Sequence, residues 1–546
     1  MSVETFADRI VLGVNGVEQR DHDAAACLVV NGDIVAAAEQ ERFSRRKKSF
    51  DEPPHDAIRF CIESSGIDPG QIEAITVGWQ KGNATTQTIL PSEYRGDGTD
   101  LIPVYRYDHH KSHAASVYYT SPFETAAVLV VDGEGEGESA SIWHATPQGL
   151  EKKLSLGVDQ SLGYTYASIS RYCGLGSFGA GKIMGLAPYG EPRFVETIKT
   201  IFDGIDLTSN EAYDNQDLFI DQFLAKLTLA GLPETQFIST YDPLTLRTKR
   251  EPILTQVHKD MAASVQVFLE QKMLELAQKA RHLTGSTHLC LAGGVSMNCV
   301  ANSVIENSGI FDALFLQPAC EDNGVAIGSA LAHLGTKATL STPYLGPSFS
   351  DTDIRNHLAK RKIPAVQSTD IAAEAAEMLA QGLVVGWFQG GLEYGPRALG
   401  ARSILANPSI EGMQDIVNQA KRREPWRPFG PSVLAERADD LFVNAVPSPY
   451  MLRSFIVRPE WRKKLAATVH VDGSTRPQTV EQSAHPRYHD LITKFCRHTG
   501  IPAVLNTSFN DDREPIVMTP DDAIQTFYTT GLDALVIGNH IIRKRH

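Results

Sequence analysis

Apolar positions near the amino terminus fall in short continuous runs, "RIVLGVNG" and then "AAACLVVNGDIVAAAEQERF", the second broken at Asn31-Gly32-Asp33. Runs of this length bounded by turn residues predict three strands, the last two joined by a tight Asn-Gly hairpin. The layout returns in "AAVLVVDGEGEGESASIWHA": an apolar strand, a glycine-rich turn at 133–137 and a strand leading away. Between 257 and 280 the pattern changes to a helical period, with Val257, Met261, Val265, Phe268 and Leu276 on one face. A strand at 288–292 then runs into Gly293-Gly294, where backbone can approach a ligand because no Cβ intervenes.

The pattern lapses over 336–350, "TKATLSTPYLGPSFSD", which is rich in Thr, Ser, Pro and Gly. That stretch predicts a linker at 341–350 between a first domain, 1–340, and a second, 351–546. The second predicts a helix near 370–381, the strand "LVVGWF", the loop "QGGLEYGPRALGARS" and the strand "IPAVLNTSF". A chain of 546 residues is long enough for several cores.

Charge and cysteine usage narrow the classes. Fifty-one basic against 65 acidic side chains give a net charge of −14, which disfavours a nucleic-acid partner. Seven scattered cysteines without a C-x-x-C pair suit a reducing compartment rather than a disulfide framework. The first residues lack a leader pattern, and no apolar run approaches the roughly 18 residues of a membrane span. The expectation is a cytoplasmic protein that does not enter a membrane.

Several motifs carry chemistry. In "YDHHKSHAAS" a helix would put His109 and His113 on one face, the spacing of two metal ligands, with His110 pointing elsewhere. Asp132 and Asp322, at strand ends, are the carboxylates available to complete such a set; the alternative is surface histidines and turn-initiating aspartates. "GSFGAGKI" lacks the hydroxyl residue and flanks of a phosphate-binding loop, so it is read as a glycine-rich turn whose Lys182 lines a substrate or nucleotide site. In the second domain Arg397, Arg402, Lys421, Arg422, Arg423, Arg427 and Arg476 gather beside glycine and proline. Either they form a solvated face or they converge on phosphate oxygens. "RRKK", 45–48, is read as a solvated loop. "LNTSFN" offers short polar side chains after a buried strand, and "RDHD" sets His22 between two carboxylates as a candidate general base.

The order of these pieces is more specific than any one of them. The duplicated hairpins resemble the actin-like ATPase superfamily. "HDAAACLVVNGDIVAAAEQERFSR", "DHHKSHAAS", "VDGEGE", "GAGKIMGLAPYG", "AGGVSMN", "ACEDNGVAIGSA", "EYGPRALGARSI", "REPWRPFGPSV", "DGSTRPQTV" and "LNTSFN…EPIV" together resemble the NodU/CmcH family of O-carbamoyltransferases over essentially the whole chain. Within it, "LGVNG" is most similar to the antibiotic-tailoring branch that includes tobramycin carbamoyltransferase.

The resemblance implies an α/β protein (α+β overall) with a two-lobed actin-like (ASKHA) domain followed by a YrdC-like domain. It implies that the second domain makes carbamoyl adenylate from carbamoyl phosphate and ATP, ATP arriving with Mg²⁺. The first then passes the carbamoyl group to a hydroxyl of a small natural-product or sugar-like acceptor. Carried over by position, the metal ligands fall on His109, His113, Asp132 and Asp322, with Fe²⁺ as the expected ion. The base falls on His22, with Asp23 beside it. Nucleotide contacts fall on Gly293, Gly294 and Asn298, with Lys182 and the 133–136 turn as neighbours. Carbamoyl phosphate and ATP contacts fall on Lys421, Arg427, Arg476, Asn506 and Ser508, with Arg397 and Arg402. One departure is "DDREPIV", with Arg513 where the family has glycine, which puts the local turn and the pose of Asn506 in question. Several similar enzymes are oligomeric, so a homo-oligomer is expected. Two other readings stand beside this one: a macromolecular acceptor, tRNA or a protein, and a sugar kinase on the actin-like fold.

Overall fold

The computed structural model describes residues 9–18, 22–96, 99, 101–207, 215–242 and 247–544; Arg20 and Asp21 of the "RDHD" motif lie outside them. The chain forms two compact units, 1–122 with 316–546, and 123–315. The first-lobe sheet therefore belongs with everything after 316, a grouping different from a break at 341–350.

In the first unit β1 (Ile10–Asn15), β2 (Ala25–Val30), β3 (Asp33–Glu39), β4 (Ala74–Val77) and β5 (Val104–Arg106) form a sheet in the order β3-β2-β1-β4-β5. The first three strands are antiparallel and the last two run parallel to β1. Asn31 and Gly32, with φ of 54° and 91°, make the predicted hairpin turn. The helix Asn323–Leu334 packs on this sheet with Val325, Ala326, Ile327, Ala330 and Leu331 fully buried, so it is apolar around most of its circumference. Glycines permit the approach: a Cβ on Gly13 would sit 1.9 Å from the Ala326 carbonyl, and one on Gly328 would sit 1.8 Å from the Ser112 carbonyl.

The rest of the first unit is an eight-stranded sheet, β13-β22-β21-β14-β15-β20-β16-β19. Its strands are β13 (Val366–Gln367), β14 (Val385–Phe388), β15 (Arg402–Ala406), β16 (Gly430–Leu434), β19 (Gln478–Val480), β20 (Ala503–Ser508), β21 (Ala534–Ile537) and β22 (His540–Arg543); a small ribbon pairs β17 (Phe455–Ile456) with β18 (Ser474–Thr475). The helices Ile371–Ala380 and Pro486–Thr499 cover one face, packing Ala375, Leu379, Leu491 and Phe495 into a core with Trp387 and Val504. The expected linker is ordered: Gly346 N–H donates to the Leu392 carbonyl at 3.0 Å, Leu392 N–H to the Pro347 carbonyl at 3.1 Å and Tyr394 N–H to the Pro343 carbonyl at 2.8 Å.

The second unit has β6 (Ala126–Gly135), β7 (Glu138–Thr146), β8 (Gly149–Gly157), β11 (His288–Ala292) and β12 (Ala313–Leu316) in the order β12-β11-β6-β7-β8. β9 (Phe237–Asp242) and β10 (Arg247–Pro252) form a separate ribbon. Counted from its own first strand this sheet repeats the 3-2-1-4-5 order of the first, so the duplication read from the two hairpins is a duplication of topology. The predicted helix is present as Gln256–Thr284, with Met261, Val265, Phe268 and Leu276 buried.

Candidate functional site

The histidine segment is a helix, His109–Tyr118, started by Asp108, whose carboxylate accepts the Lys111 N–H at 2.7 Å. His109 and His113 are fully buried. His109 Nδ1 donates to the Gly78 carbonyl at 3.2 Å, which fixes the tautomer and leaves the Nε2 lone pair available. That Nε2 lies 3.1 Å from Nε2 of His113, and Asp322 Oδ1 lies 3.8 and 3.5 Å from the two. Two imidazole nitrogens and a carboxylate this close, with ligand atoms within 4.8 Å of one another, fit a borderline divalent cation. Asp322 precedes the helix Asn323–Leu334 but makes no side-chain cap, so its carboxylate is not spent on that helix.

His22 adjoins this group. Its Nδ1 lies 3.0 Å from Asp23 Oδ2 and 3.8 Å from Asp322 Oδ2. Burial alone would lower its pKa; the Asp23 hydrogen bond and the charges of Asp322 and Asp23 outweigh burial and raise it to about 9. Burial pushes Asp23 the other way, yet Lys48 and His22 bring it down to about 2. Lys48 Nζ bridges Asp23 at 2.8 Å and Glu321 at 3.4 Å. The backbone is pinned from both sides: Asn15 Nδ2 donates to the carbonyls of His22 and Asp23, Asp23 N–H donates to Lys48, and Ala24 N–H donates to Ser49.

In the second unit β6 continues to Gly135, beyond the expected turn start, and its register with β7 is irregular between Val131 and Gly135. The reversal itself is at Glu136-Gly137, with φ of 57° and 92°. The irregularity sets Asp132 outside the ladder, where its Oδ1 accepts N–H groups of Gly133 at 2.7 Å and Gly294 at 3.3 Å. Gly293, at φ 88°, passes so near β6 that a Cβ would lie 2.3 Å from the Val131 carbonyl. The structure thus brings Asp132, the 133–136 segment, Gly293 and Gly294 together at the ends of adjacent strands. Asn298 is spent on structure: its side chain accepts the Ala301 N–H and exchanges hydrogen bonds with Gln266. Lys182 lies in the short helix Ala180–Leu186, and the segment before "GSFGAGKI" is the helix Leu162–Tyr172, so the strand of a phosphate-binding loop is absent there.

The basic residues of the eight-stranded domain divide into two groups. Lys421 is buried and its Nζ donates to the Ser508 carbonyl, the Asn510 carbonyl at 2.8 Å and Asn510 Oδ1 at 2.9 Å. Burial, then the charges of Arg423, Lys47 and Arg427, hold it well below a lysine's ordinary value. Burial likewise holds Arg423 down, with Arg427 and Arg476 adding to the effect. Five cations act on one another's surroundings here, and Arg427 meets the carboxylates of Asp512 at 3.0 Å and Glu424 at 3.5 Å. Asn506 is buried on β20, its Nδ2 within 3.3 Å of Ala398 O, Ser432 Oγ and Gln478 Oε1.

Arg402 is different. Its side chain is fully buried, its guanidinium donates to the carbonyls of Gln389, Ala401, Pro347 and Gly390, and it stacks on Phe388 at 3.6 Å. Four guanidinium donations hold a loop, and Nε is buried with no partner, so its expected phosphate contact stands only as a proposal. Arg397 stands within electrostatic reach of Glu321, beside Asp322. The feared strain at Arg513 is absent: it takes no left-handed φ, and the Asp511 carboxylate accepts its N–H at 2.7 Å.

The sequence model of the carbamoyltransferase N-terminus matches residues 13–94 and 79–331, and that of the carbamoyltransferase C-terminus matches 376–544. The chain belongs to the carbamoyltransferase family. Among its relatives, nodulation protein NolNO of Sinorhizobium fredii is 37% identical over 96% of this chain and 79% of its own. Nodulation protein U of Bradyrhizobium diazoefficiens is 30% identical over 90% of each. An uncharacterised protein of Synechocystis is 36% identical over 97% of this chain and 96% of its own. These relatives place the carbamoyltransferase in the NodU/CmcH family, as the motif order implied.

Four residues near the sites of this carbamoyltransferase escape sequence reading: Lys47, Lys48, Glu321 and Glu39. Glu321 adjoins Asp322 in the sequence, which was a usable signal. Glu39 had none; its Oε1 accepts the Gly395 N–H at 2.7 Å and bonds from Asn323 and Arg42, pairings across up to 356 residues.

Proposed function

We propose that this carbamoyltransferase works in two stages, with a YrdC-like carboxy-terminal domain as the adenylating half. There, water takes the phosphate from carbamoyl phosphate, and the carbamate oxygen attacks the α-phosphorus of Mg²⁺-bound ATP. Carbamoyl adenylate forms and pyrophosphate leaves. The observation that carries this reading is the cation cluster of Lys421, Arg423, Arg427 and Arg476, in which burial first and then the neighbouring cations hold Lys421 and Arg423 well below their ordinary values. Such a cluster suits two phosphate-bearing substrates held at once. Asn506 and Ser508 are assigned to the same substrates as polar contacts.

The second stage is assigned to His22. The acceptor hydroxyl attacks the carbamoyl carbon, AMP leaves, and the imidazole takes the hydroxyl proton at Nε2 while Nδ1–H remains on Asp23. Lys48 keeps Asp23 ionised for that task. His109, His113 and Asp322, with Asp132 as the fourth proposed ligand, would hold a divalent ion, Fe²⁺ on the resemblance. When bound, that ion supplies Lewis acidity toward the adenylate phosphate. A cation on Asp322 also offsets one of the charges that raise His22, which favours the neutral imidazole a base requires. Gly293, Gly294, Lys182 and the backbone of Asn298 are assigned to the nucleotide.

The acceptor is read as a hydroxyl-bearing small molecule. A net charge of −14 opposes tRNA, and the chain carries no C-x-x-C zinc module. Two of the three relatives named above carry nodulation names, so antibiotic tailoring rests on the "LGVNG" likeness alone. The test is His22→Ala: with an accepted hydroxyl compound, transfer is expected to fall by about 10²–10⁴-fold, the usual worth of a general base, while acceptor-free pyrophosphate release is retained. Loss of both in a folded variant would remove His22 from the role.

A further inference from the structure

Asp322 faces two ways. Its Oδ1 lies toward His109 and His113 and its Oδ2 toward His22. The side chain caps no helix, so the direction of its carboxylate depends on the backbone that carries it. That backbone is gripped through the next residue. Asn323 is buried; its Nδ2 donates to Glu39 Oε1 at 3.3 Å, and its carbonyl accepts the Tyr394 hydroxyl. Glu39 Oε1 also accepts the Gly395 N–H at 2.7 Å and Arg42 Nη2 at 3.3 Å, and Arg42 Nη2 donates to the Gly395 carbonyl at 3.0 Å. The hydrogen bonds close a ring that runs from Glu39 to Asn323, on to Tyr394, through the peptide to Gly395 and back to Glu39. Gly395, at φ 117°, lies so near the turn before Asp322 that a Cβ would be 2.7 Å from the Pro318 carbonyl.

Glu39 is itself fixed. It ends β3 opposite Ala25, and the Gln40 N–H donates to the Ala24 carbonyl at 2.8 Å, which ties it to the strand that begins just after His22 and Asp23. Beyond it the "RRKK" segment is not a solvated loop: Arg45 donates to the carbonyls of Ile516 at 2.7 Å and Pro515 at 2.9 Å. One carboxylate oxygen therefore links the end of a first-lobe strand, a loop of the eight-stranded domain and the residue after Asp322. Arg42 and the Gly395 N–H already answer the charge of Glu39, so the arm to Asn323 adds position rather than neutralisation. That arm survives a change of protonation, because Oε1 accepts hydrogen bonds either way.

We infer that Glu39 is a positioning residue of the transfer centre: through Asn323 it holds Asp322 where its two oxygens face the metal histidines and the base. This rests on the metal reading of His109, His113 and Asp322. A carboxylate serving only the junction between the first lobe and the eight-stranded domain would change the melting temperature and leave cation affinity alone.

The test is calorimetric titration of cobalt(II) into the metal-free full chain, with the visible absorption of the bound ion as a second reading and melting temperatures beside both. Wild type, Glu39→Ala, Glu39→Gln and Tyr344→Phe are compared. The Tyr344 hydroxyl donates to the Leu399 carbonyl at 2.8 Å, a bond to the same loop as Gly395 that does not involve Asn323. Glu39→Ala is expected to weaken cobalt binding at least about tenfold and to alter the absorption, as loss of support behind a metal ligand does. Glu39→Gln keeps an oxygen for Asn323 and Gly395 and is expected to bind as wild type does. Tyr344→Phe is expected to melt earlier with unchanged binding. If Glu39→Ala does not fold, Asn323→Ala cuts the same link from its other end and carries the same expectation. Wild-type affinity in Glu39→Ala overturns the inference. So does an equal loss in Glu39→Gln, which would make charge rather than position the cause, or an equal loss in Tyr344→Phe. No cobalt binding by wild type removes the metal reading and the inference together, whereas unchanged variants of a cobalt-binding wild type remove the inference alone.

Discussion

At the scale of single residues, the same side chain can be a ligand or a strut, and only its surroundings decide. Arg402 and Arg427 both follow glycine- or proline-rich sequence, yet burial among carbonyls makes the first a loop support with its pKa lowered to about 10, while the second meets Asp512 at the edge of a cation cluster. No local signal separates them, because what differs is contact with residues far along the chain. Glu39 gives a residue-scale prediction. Burial, the largest effect, raises its carboxyl to about 7 despite Arg42 and the Gly395 N–H. The native state then holds that proton to higher pH than the unfolded chain. Its contribution is present below the ordinary glutamate range and is lost as pH rises through about 7. Glu39→Gln keeps the acceptor and removes the titration, so between about pH 5 and 8 its melting temperature should fall less than that of wild type. Equal falls would show that Glu39 stays ionised throughout.

At the scale of elements, the two histidines work as a pair because the helix His109–Tyr118 repeats every four residues on one face and because the helix Asn323–Leu334 brings Asp322 to it. This much was legible: the H-x-x-x-H spacing and the glycines stand in the sequence, whereas Asp322, expected at a strand end, precedes the helix Asn323–Leu334, six residues beyond β12. The closeness of the two helices was not, since it depends on Gly328 facing the Ser112 carbonyl. Gly328→Ala would place a Cβ 1.8 Å from that oxygen. Something must move, and a loss of about 1–3 kcal/mol is expected, as for other overpacked cores. The metal bound per chain, measured by elemental analysis of the folded variant, should fall with it. Full stability and full metal content would mean that the helices yield without cost.

At the scale of the whole molecule, the repeat of two strand meanders was readable because each is an apolar run broken by glycine, and it proved to be a repeat of sheet order. The grip between the first lobe and the carboxy-terminal domain was not readable. Arg45, Lys47 and Glu39 find partners more than 350 residues away, and a charge run destined for an interface has the same composition as one destined for water. That grip sets Lys47 against the Asp512 carbonyl and Lys48 against Asp23 and Glu321, adjacent residues of one segment with separate partners. The central claim is that the chain makes an adenylate before it transfers anything. The most direct measurement is pyrophosphate release from ATP by the metal-loaded protein without acceptor, in the presence and absence of carbamoyl phosphate. Release that requires carbamoyl phosphate, with AMP rather than ADP appearing once an acceptor is supplied, is the predicted result. No pyrophosphate under those conditions, or ADP as the nucleotide product, would contradict it.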